Sequence, residues 1–507
     1  MKPSDSLFLL IQSLGRSEKI HFKKYTSKHV IDGMNNYTRL FDVIEKQKQY
    51  NEKAVKKIFK GTTSIKHLPS EKNYLYHLIL KSLYVYNSGK SIDAILNELL
   101  EEAEILFEKN LFTQCHKLLL KAKKIAYQYE KFSSLITIIK CQIKYPDKMP
   151  TGHIDVLIKE QNKALKNLEN EVQYSQMSTK MLNMHIKMAH TKNTYELNRL
   201  KKLIIHPLLA NEKKAISFKA KCTFLNTHAI YTRTIGNNAQ SYLFRKKLVA
   251  LIESSPEKVR TNRTTYLNSL SNLMRILIVT KKYSEFLEVA KKTRNIFSVS
   301  ESETISVFAV TYGLELAMYR DTGQFEKGIE LIRQIEPLLE KYKRKLRKND
   351  VLVFHRDISW IFFGANQFRK ALWWTNKTLN DNDDAIELET NKYFIISTRI
   401  FSMIIHFELG NHDFLEHLVK ATYHFLAKLK GHKVEMAILY FMEKFPNINT
   451  QQALTKEFIM LKEECISLLK DPLQQPAFLY FDYVSWIESK IENKSFAEIV
   501  RKKAKRL

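Results

Sequence analysis

Few residues of this 507-residue chain have the types and spacing that chemistry needs. His412 and His417 enclose Asp413 and Glu416, the side-chain types of a metal site, but the two histidines stand five positions apart. Zinc-binding histidine pairs on a helix stand four apart, which keeps both imidazoles on one face. At five they diverge, so we read them as surface or inter-helix histidines, and His406, before Gly410, as a packing or solvated group. Arg199 and His206 have the types of a phosphodiester-cleaving pair, a combination common by chance. Asp381, Asp383 and Asp384 fall between helical stretches, where carboxylates are solvated or cap the next helix. The chain carries no GxxxxGK[ST], GxGxxG or GxSxG motif, and with 12 glycines in all a phosphate-cradling loop has nowhere to form. The expectation is a protein with no catalytic residues, no cofactor and no metal.

Recognition has better candidates. Trp373 and Trp374 are adjacent, and adjacent positions on a helix cannot both face inward, so one belongs to the core and the other lies at the surface or at a seam between helices. Tryptophan at a surface is enriched in interfaces, and this pair is the first candidate anchor for a partner. The second is the basic run Lys341, Lys343, Arg344, Lys345, Arg347 and Lys348, in which the five residues Lys343, Arg344, Lys345, Arg347 and Lys348 are candidate contacts to an anionic surface. The plainer reading is a helix end whose cations complement the dipole. A further run, Arg501, Lys502, Lys503, Lys505 and Arg506, lies near the C-terminus.

The elements that must position these residues are helices. Only 12 Gly and 10 Pro occur, too few for the turns of β or α/β folds. From Ile92 to Phe107 apolar residues fall at three-and-four spacing, and a second such stripe runs from Phe112 to Tyr129. Between them lies a turn: a small or polar residue, a spacer, an aromatic, two spacers, then a small or apolar residue. It occurs at Asn110, Phe112 and Cys115; at Lys281, Tyr283 and Phe286; at Gly323, Phe325 and Gly328; and at Asn366, Phe368 and Ala371. It recurs at Gly410, His412 and Leu415, and closes at Lys494, Phe496 and Ile499. Successive copies from 281 to 410 lie 42, 43 and 44 residues apart, and the longer gaps predict further turns near Gly152, Asn193, Gly236 and Gln452. Such a period marks a stacked array of helix pairs.

This turn and its stripes resemble the tetratricopeptide repeat, most closely over Ala103, Leu106, Asn110, Phe112, Cys115, Leu119 and Ala122. The unit is longer than the family's usual 34 residues, lacks its closing proline, and has Phe286 and Leu415 where the family has a small residue. The resemblance implies an all-α, right-handed α-solenoid of about ten helical hairpins over residues 91–507, and a protein or peptide as partner. Residues 1–90 read as a basic helical domain, an N-terminal cap for the array or a nucleic-acid-reading module. A basic helical domain followed by long repeats is similar to peptide-responsive bacterial transcription regulators.

Lys and Arg number 82 against 53 Asp and Glu, a formal charge of +29. A polyanion partner fits that surplus, as does the compositional drift of AT-rich genomes, since the excess is spread along the chain. Cys115, Cys141, Cys222 and Cys465 are far apart in sequence and form no CxxC pair, which suits a reducing compartment. The stretch Leu7 to Leu14 is too short and too quickly followed by Arg16, Glu18 and Lys19 to read as a signal peptide, and no run reaches the length of a membrane span. The expected function is a cytoplasmic, non-enzymatic scaffold for a protein or peptide. The alternative is a nucleic-acid-associated regulator whose N-terminal helices touch DNA or RNA.

Overall fold

A computed structural model describes residues 3–27, 36–59, 67–89, 91–144, 154–191, 194–298, 300–380, 389–426, 432–471, 474, 477–478 and 480–506. Among them are 26 α-helices and no strand. The chain divides into two compact units, one of Met1–Met177, Asn211–Phe224 and Pro256–Thr261, the other of Ser178–Ala210, Leu225–Ser255 and Asn262–Leu507.

The first unit opens with α1 (Pro3–Ser13), α2 (Arg16–Ser27), α3 (Asn36–Glu45), α4 (Glu52–Ile58) and α5 (Leu68–Asn87). These share one core, in which Leu7, Ile11, Phe22, Phe41, Val55 and Leu75 are buried together. A separate core joins α6 (Ile92–Glu108), α7 (Phe112–Gln128), α8 (Phe132–Lys144) and the first part of α9 (Ile154–Thr191), through Leu96, Leu99, Cys115, Leu119, Leu135 and Leu157. Ser91 starts α6, its side chain accepting the Ala94 N–H at 3.1 Å, the usual cap for the unpaired donors of a first turn.

The helices that follow are α10 (Thr194–Ile204), α11 (Pro207–Ala210), α12 (Phe218–Thr234), α13 (Asn238–Glu253), α14 (Pro256–Thr261), α15 (Arg263–Val279), α16 (Tyr283–Arg294) and α17 (Glu301–Asp321). Then come α18 (Phe325–Tyr342), α19 (Lys348–Gly364), α20 (Phe368–Asn380), α21 (Glu389–Glu408) and α22 (His412–Leu426). The chain closes with α23 (Lys433–Lys444), α24 (Gln451–Lys470), α25 (Tyr483–Ile491) and α26 (Phe496–Arg506). In the second unit each helix from α15 to α26 packs on the next, and α13 on α15, α15 on α17, α17 on α19 and α21 on α23 also touch.

The recurrent turn has a definite backbone cause. Asn110 adopts φ 61°, its N–H donates to the Phe107 carbonyl at 2.9 Å, and the Leu111 N–H donates to the Leu106 carbonyl at 2.9 Å. That is a Schellman closure: one left-handed residue satisfies two orphan carbonyls and turns the chain back. The same pair of bonds closes helices at Gly236, Lys281, Gly323, Asn366 and Gly410, all at positive φ. Asparagine and glycine tolerate this region best, hence the small or polar first position.

Some expected turns fall elsewhere. Gly152 and Asn193 lie outside the described residues, while Gln452 sits in the first turn of α24, capped by Thr450. Asn493, not Lys494, is the left-handed residue of the last copy. Between those two expected turns the chain forms one helix of 38 residues, α9, with no glycine or proline to break it. Glu130 makes an additional Schellman turn at φ 51°.

The second unit also closes on its own C-terminal helix. Phe496 lies 6.0 Å from Phe325, 5.4 Å from Phe363 and 5.6 Å from Phe481, ring centre to ring centre. Arg501 Nε donates to the Gly323 carbonyl at 2.8 Å, and its guanidinium pairs with Glu326 at 2.6 Å. A Cβ on Gly323 would stand 2.9 Å from Arg501 Cγ and 3.2 Å from its backbone nitrogen, whereas one on Gly410 would meet nothing within 4 Å. Both glycines have positive φ, so Gly410→Ala meets only the left-handed penalty, about 1 kcal/mol, while Gly323→Ala also pushes α26 away. The expected result is a larger loss of urea midpoint for G323A than for G410A. Equal losses would mean that α26 does not press on this turn.

Candidate functional site

The two tryptophans part as neighbours on a helix must. On α20, Trp374 is 3% exposed and packs 5.1 Å from the His355 ring, while Trp373 is 55% exposed. Lys377, one turn on, holds its ammonium 4.9 Å above the Trp373 ring and 4.6 Å above that of Trp374. The same ammonium reaches Glu340 of α18 at 2.6 Å. That hydrogen bond, with the charge of Lys377 and of nearby Lys343, holds the Glu340 carboxyl below its ordinary range. The exposed indole therefore sits beside the end of α18, where the basic run begins.

In that run Tyr342 and Leu346 are buried and pin the connection from α18 to α19. Lys345 pairs with Glu301 at 2.6 Å, and Arg347 holds Asp350 by two bonds of 2.8 and 2.9 Å. The Asp350 hydrogen bond raises the Arg347 pKa further. Arg344 and Lys348 are exposed with no ion pair among the described residues, and Lys343 is half-buried. Of the candidate cations, Lys345 and Arg347 are thus held within the chain. The C-terminal run is likewise engaged: besides Arg501, Lys502 reaches Glu492 at 3.3 Å and Lys503 reaches Glu488 at 2.8 Å.

The core of the second unit is rich in aromatic residues. Phe481, Tyr483 and Trp486 are fully buried, and Trp486 donates from Nε1 to Glu408 at 2.7 Å. Under them runs a polar seam that sequence reading did not single out. Asp357, 1% exposed, takes Arg320 at 2.6 Å and Arg356 at 2.8 Å, and Arg320 stacks 4.6 Å from the Trp360 ring. Burial alone would lower the Arg320 pKa; Asp357 and Asp321 beside it raise it instead. No local pattern announces the pair, since its members lie 37 residues apart on α17 and α19. Close by, hydroxyls of Ser359, Thr375, Thr378, Ser397 and Thr398 line a cavity of about 10 Å³ with Arg356 and Tyr480. That is room for about one water.

The remaining chemical candidates are scattered. His412 and His417 are exposed on α22, and His406 is buried, 3.1 Å from the Asn411 amide, with its pKa lowered by burial. Arg199 and His206 are both exposed. Asp381, Asp383 and Asp384 lie outside the described residues. No group of three or more His, Cys, Asp or Glu side chains among the described residues is arranged to hold a metal ion. All four cysteines are free, and no described helix is long and apolar enough to cross a membrane. No protein-family model matches the chain, and no curated protein matches it.

Removing Arg320 leaves a buried carboxylate short of a partner, which costs about 3 kcal/mol, whereas removing both charges is far milder. Arg320→Leu should therefore lower the urea midpoint strongly, and R320L/D357L should restore most of it. A double variant as unstable as the single one would mean that Asp357 draws nothing from Arg320.

Proposed function

We propose that this chain is a non-enzymatic, tetratricopeptide-like helical-repeat protein of the long-repeat kind that binds a protein or peptide. Its repeat array comprises residues 91–507, with residues 1–90 as the cap. Support for the repeat reading comes from left-handed turn residues at 236, 281, 323, 366 and 410, spaced by 42 to 45 residues. Helices one and two positions apart in the chain pack together, as in an array in which each unit covers the apolar face of the last. Free cysteines suit the reducing cytoplasm.

The observation that carries the binding reading is Trp373, a large indole left 55% exposed on a well-packed helix. Lys377, 4.9 Å from that ring, and Lys343, whose charge reaches Glu340, make the setting cationic and favour a partner segment that sets an apolar or aromatic side chain on the indole with a carboxylate nearby. Phe481, Trp486 and Phe496 belong to the unit's own core, so this reading rests on the exposed side of α20.

The test is affinity purification of the tagged full-length chain from its native cell, in parallel with Trp373→Ala and Lys343→Glu. A Trp anchor contributes about 2 kcal/mol or more, so W373A should retain the partner roughly 30-fold more weakly, and K343E should weaken it less. Identical recovery with wild type and W373A would exclude this surface.

A further inference from the structure

The first ninety residues carry a clear surplus of positive charge. Residues 1–90 hold 17 Lys and Arg against seven Asp and Glu, and the rest of the chain holds 65 against 46. The described carboxylates in that region are already engaged. Asp42 binds Lys23 at 2.7 Å, Glu45 binds Lys19 at 3.0 Å, and Glu52 binds Lys72 and Lys56, both at 2.9 Å. Glu18 accepts the Gly15 N–H at 2.7 Å. Asp5 and Glu71 stand in the first turns of α1 and α5, where the helix dipole favours a negative charge.

What remains is a set of cations without an ion pair among the described residues, and five of these lie on α3, on α4 and in the turn between them. The Arg39 guanidinium lies 5.2 Å from the ring of Phe59, at the end of α4. At the other end, the Gln47 side chain accepts the Asn51 N–H at 2.9 Å and donates to its carbonyl at 3.3 Å. The two helices thus run as an antiparallel hairpin. It exposes Arg39, Lys46, Lys48, Lys53 and Lys57, none with an ion pair among the described residues. Lys53 and Lys57 share one face of α4, one turn apart.

The chemistry of this face selects among anionic partners. On α3, α4 and the turn between them, Ile58 is the one large apolar side chain exposed among the described residues, and a single residue makes no apolar face. A membrane-binding helix needs an apolar face, and a protein interface needs aromatic or aliphatic anchors. Nucleic-acid interfaces are polar, strongly positive and rich in phosphate contacts. Exposed Gln49 and Asn51 supply hydrogen-bonding amides between the cations.

We propose that the α3–α4 hairpin binds the phosphate backbone of a nucleic acid through Arg39, Lys46, Lys48, Lys53 and Lys57, without reading base sequence. This site is separate from the Trp373 surface and does not depend on it.

The test uses the full-length chain, a short labelled DNA duplex and a single-stranded RNA of equal length, with anisotropy read from about 50 to 200 mM salt. On the duplex, replacing four cations in R39Q/K46Q/K53Q/K57Q should cut the slope of log affinity against log salt by about 3 to 4. The K53Q/K57Q pair, confined to one exposed face, should cut it by about half as much. A control, K117Q/K121Q/K124Q on α7, should leave the slope unchanged. Absence of binding to either nucleic acid at the lowest salt overturns the proposal. So does an equal loss in the α7 control, or binding to phosphatidylserine vesicles with none to nucleic acid.

Discussion

One constraint governs this chain: an amphipathic helix cannot cover its own apolar stripe, so the chain must reverse soon after each helix ends and bring the next one alongside. The reversal is made by a single residue at positive φ, which closes two carbonyls that the helix leaves unpaired. An aromatic two residues later then packs back against the helix just left: Phe112 lies 5.3 Å from Phe107, and Phe368 lies 5.2 Å from Phe363. Turn and packing thus reinforce each other. The backbone conformation delivers the aromatic, and the packed ring holds the conformation.

That coupling explains why the turns were readable from sequence. Asn110, Gly323, Asn366 and Gly410 combine a residue that tolerates positive φ with an aromatic or histidine at fixed offset, so each carries two signals, while Lys281 carries only the second. Glu130, followed by Phe132 and Leu135, obeys the same rule but stands only 20 residues after Asn110, and a search guided by the 42-residue period passes over it. The long α9 fails for the opposite reason. An array of helix pairs needs a break between one pair and the next, but no glycine or proline between Ile154 and Thr191 supplies one. Local chemistry, not the average period, decides where a helix stops.

Long-range closure left no such trace. Gly323 reads as a turn glycine, and it is one, yet the same position lets Arg501 approach from 178 residues away. Likewise Gly364 leaves room for the Phe325 ring, which would stand 2.3 Å from a Cβ there. Nothing in the spacing of either glycine tells which distant residue comes near. The Trp373 and Trp374 pair was legible only as an alternative, because helical geometry says that one must turn outward without saying which. Burial beside His355 settles it in favour of Trp374 as the core residue.

Charge obeys the same distinction between local and distant information. The basic runs most conspicuous in sequence, around Lys345 and around Lys502, are partly matched by Glu301, Asp350, Glu326, Glu492 and Glu488 once the chain folds. The cations of the α3–α4 hairpin are dispersed through a region that reads in sequence only as basic, and in the folded chain the carboxylates near them are occupied by other lysines. Glu52 shows how complete that occupation is, since its hydrogen bonds to Lys72 and Lys56 bring its pKa down to about 2. A field strong enough to attract a polyanion depends on cations that lack counter-charges, not on cations that are close in sequence. Whether a lysine is available to a partner is therefore a property of the fold, read from where its acids have gone.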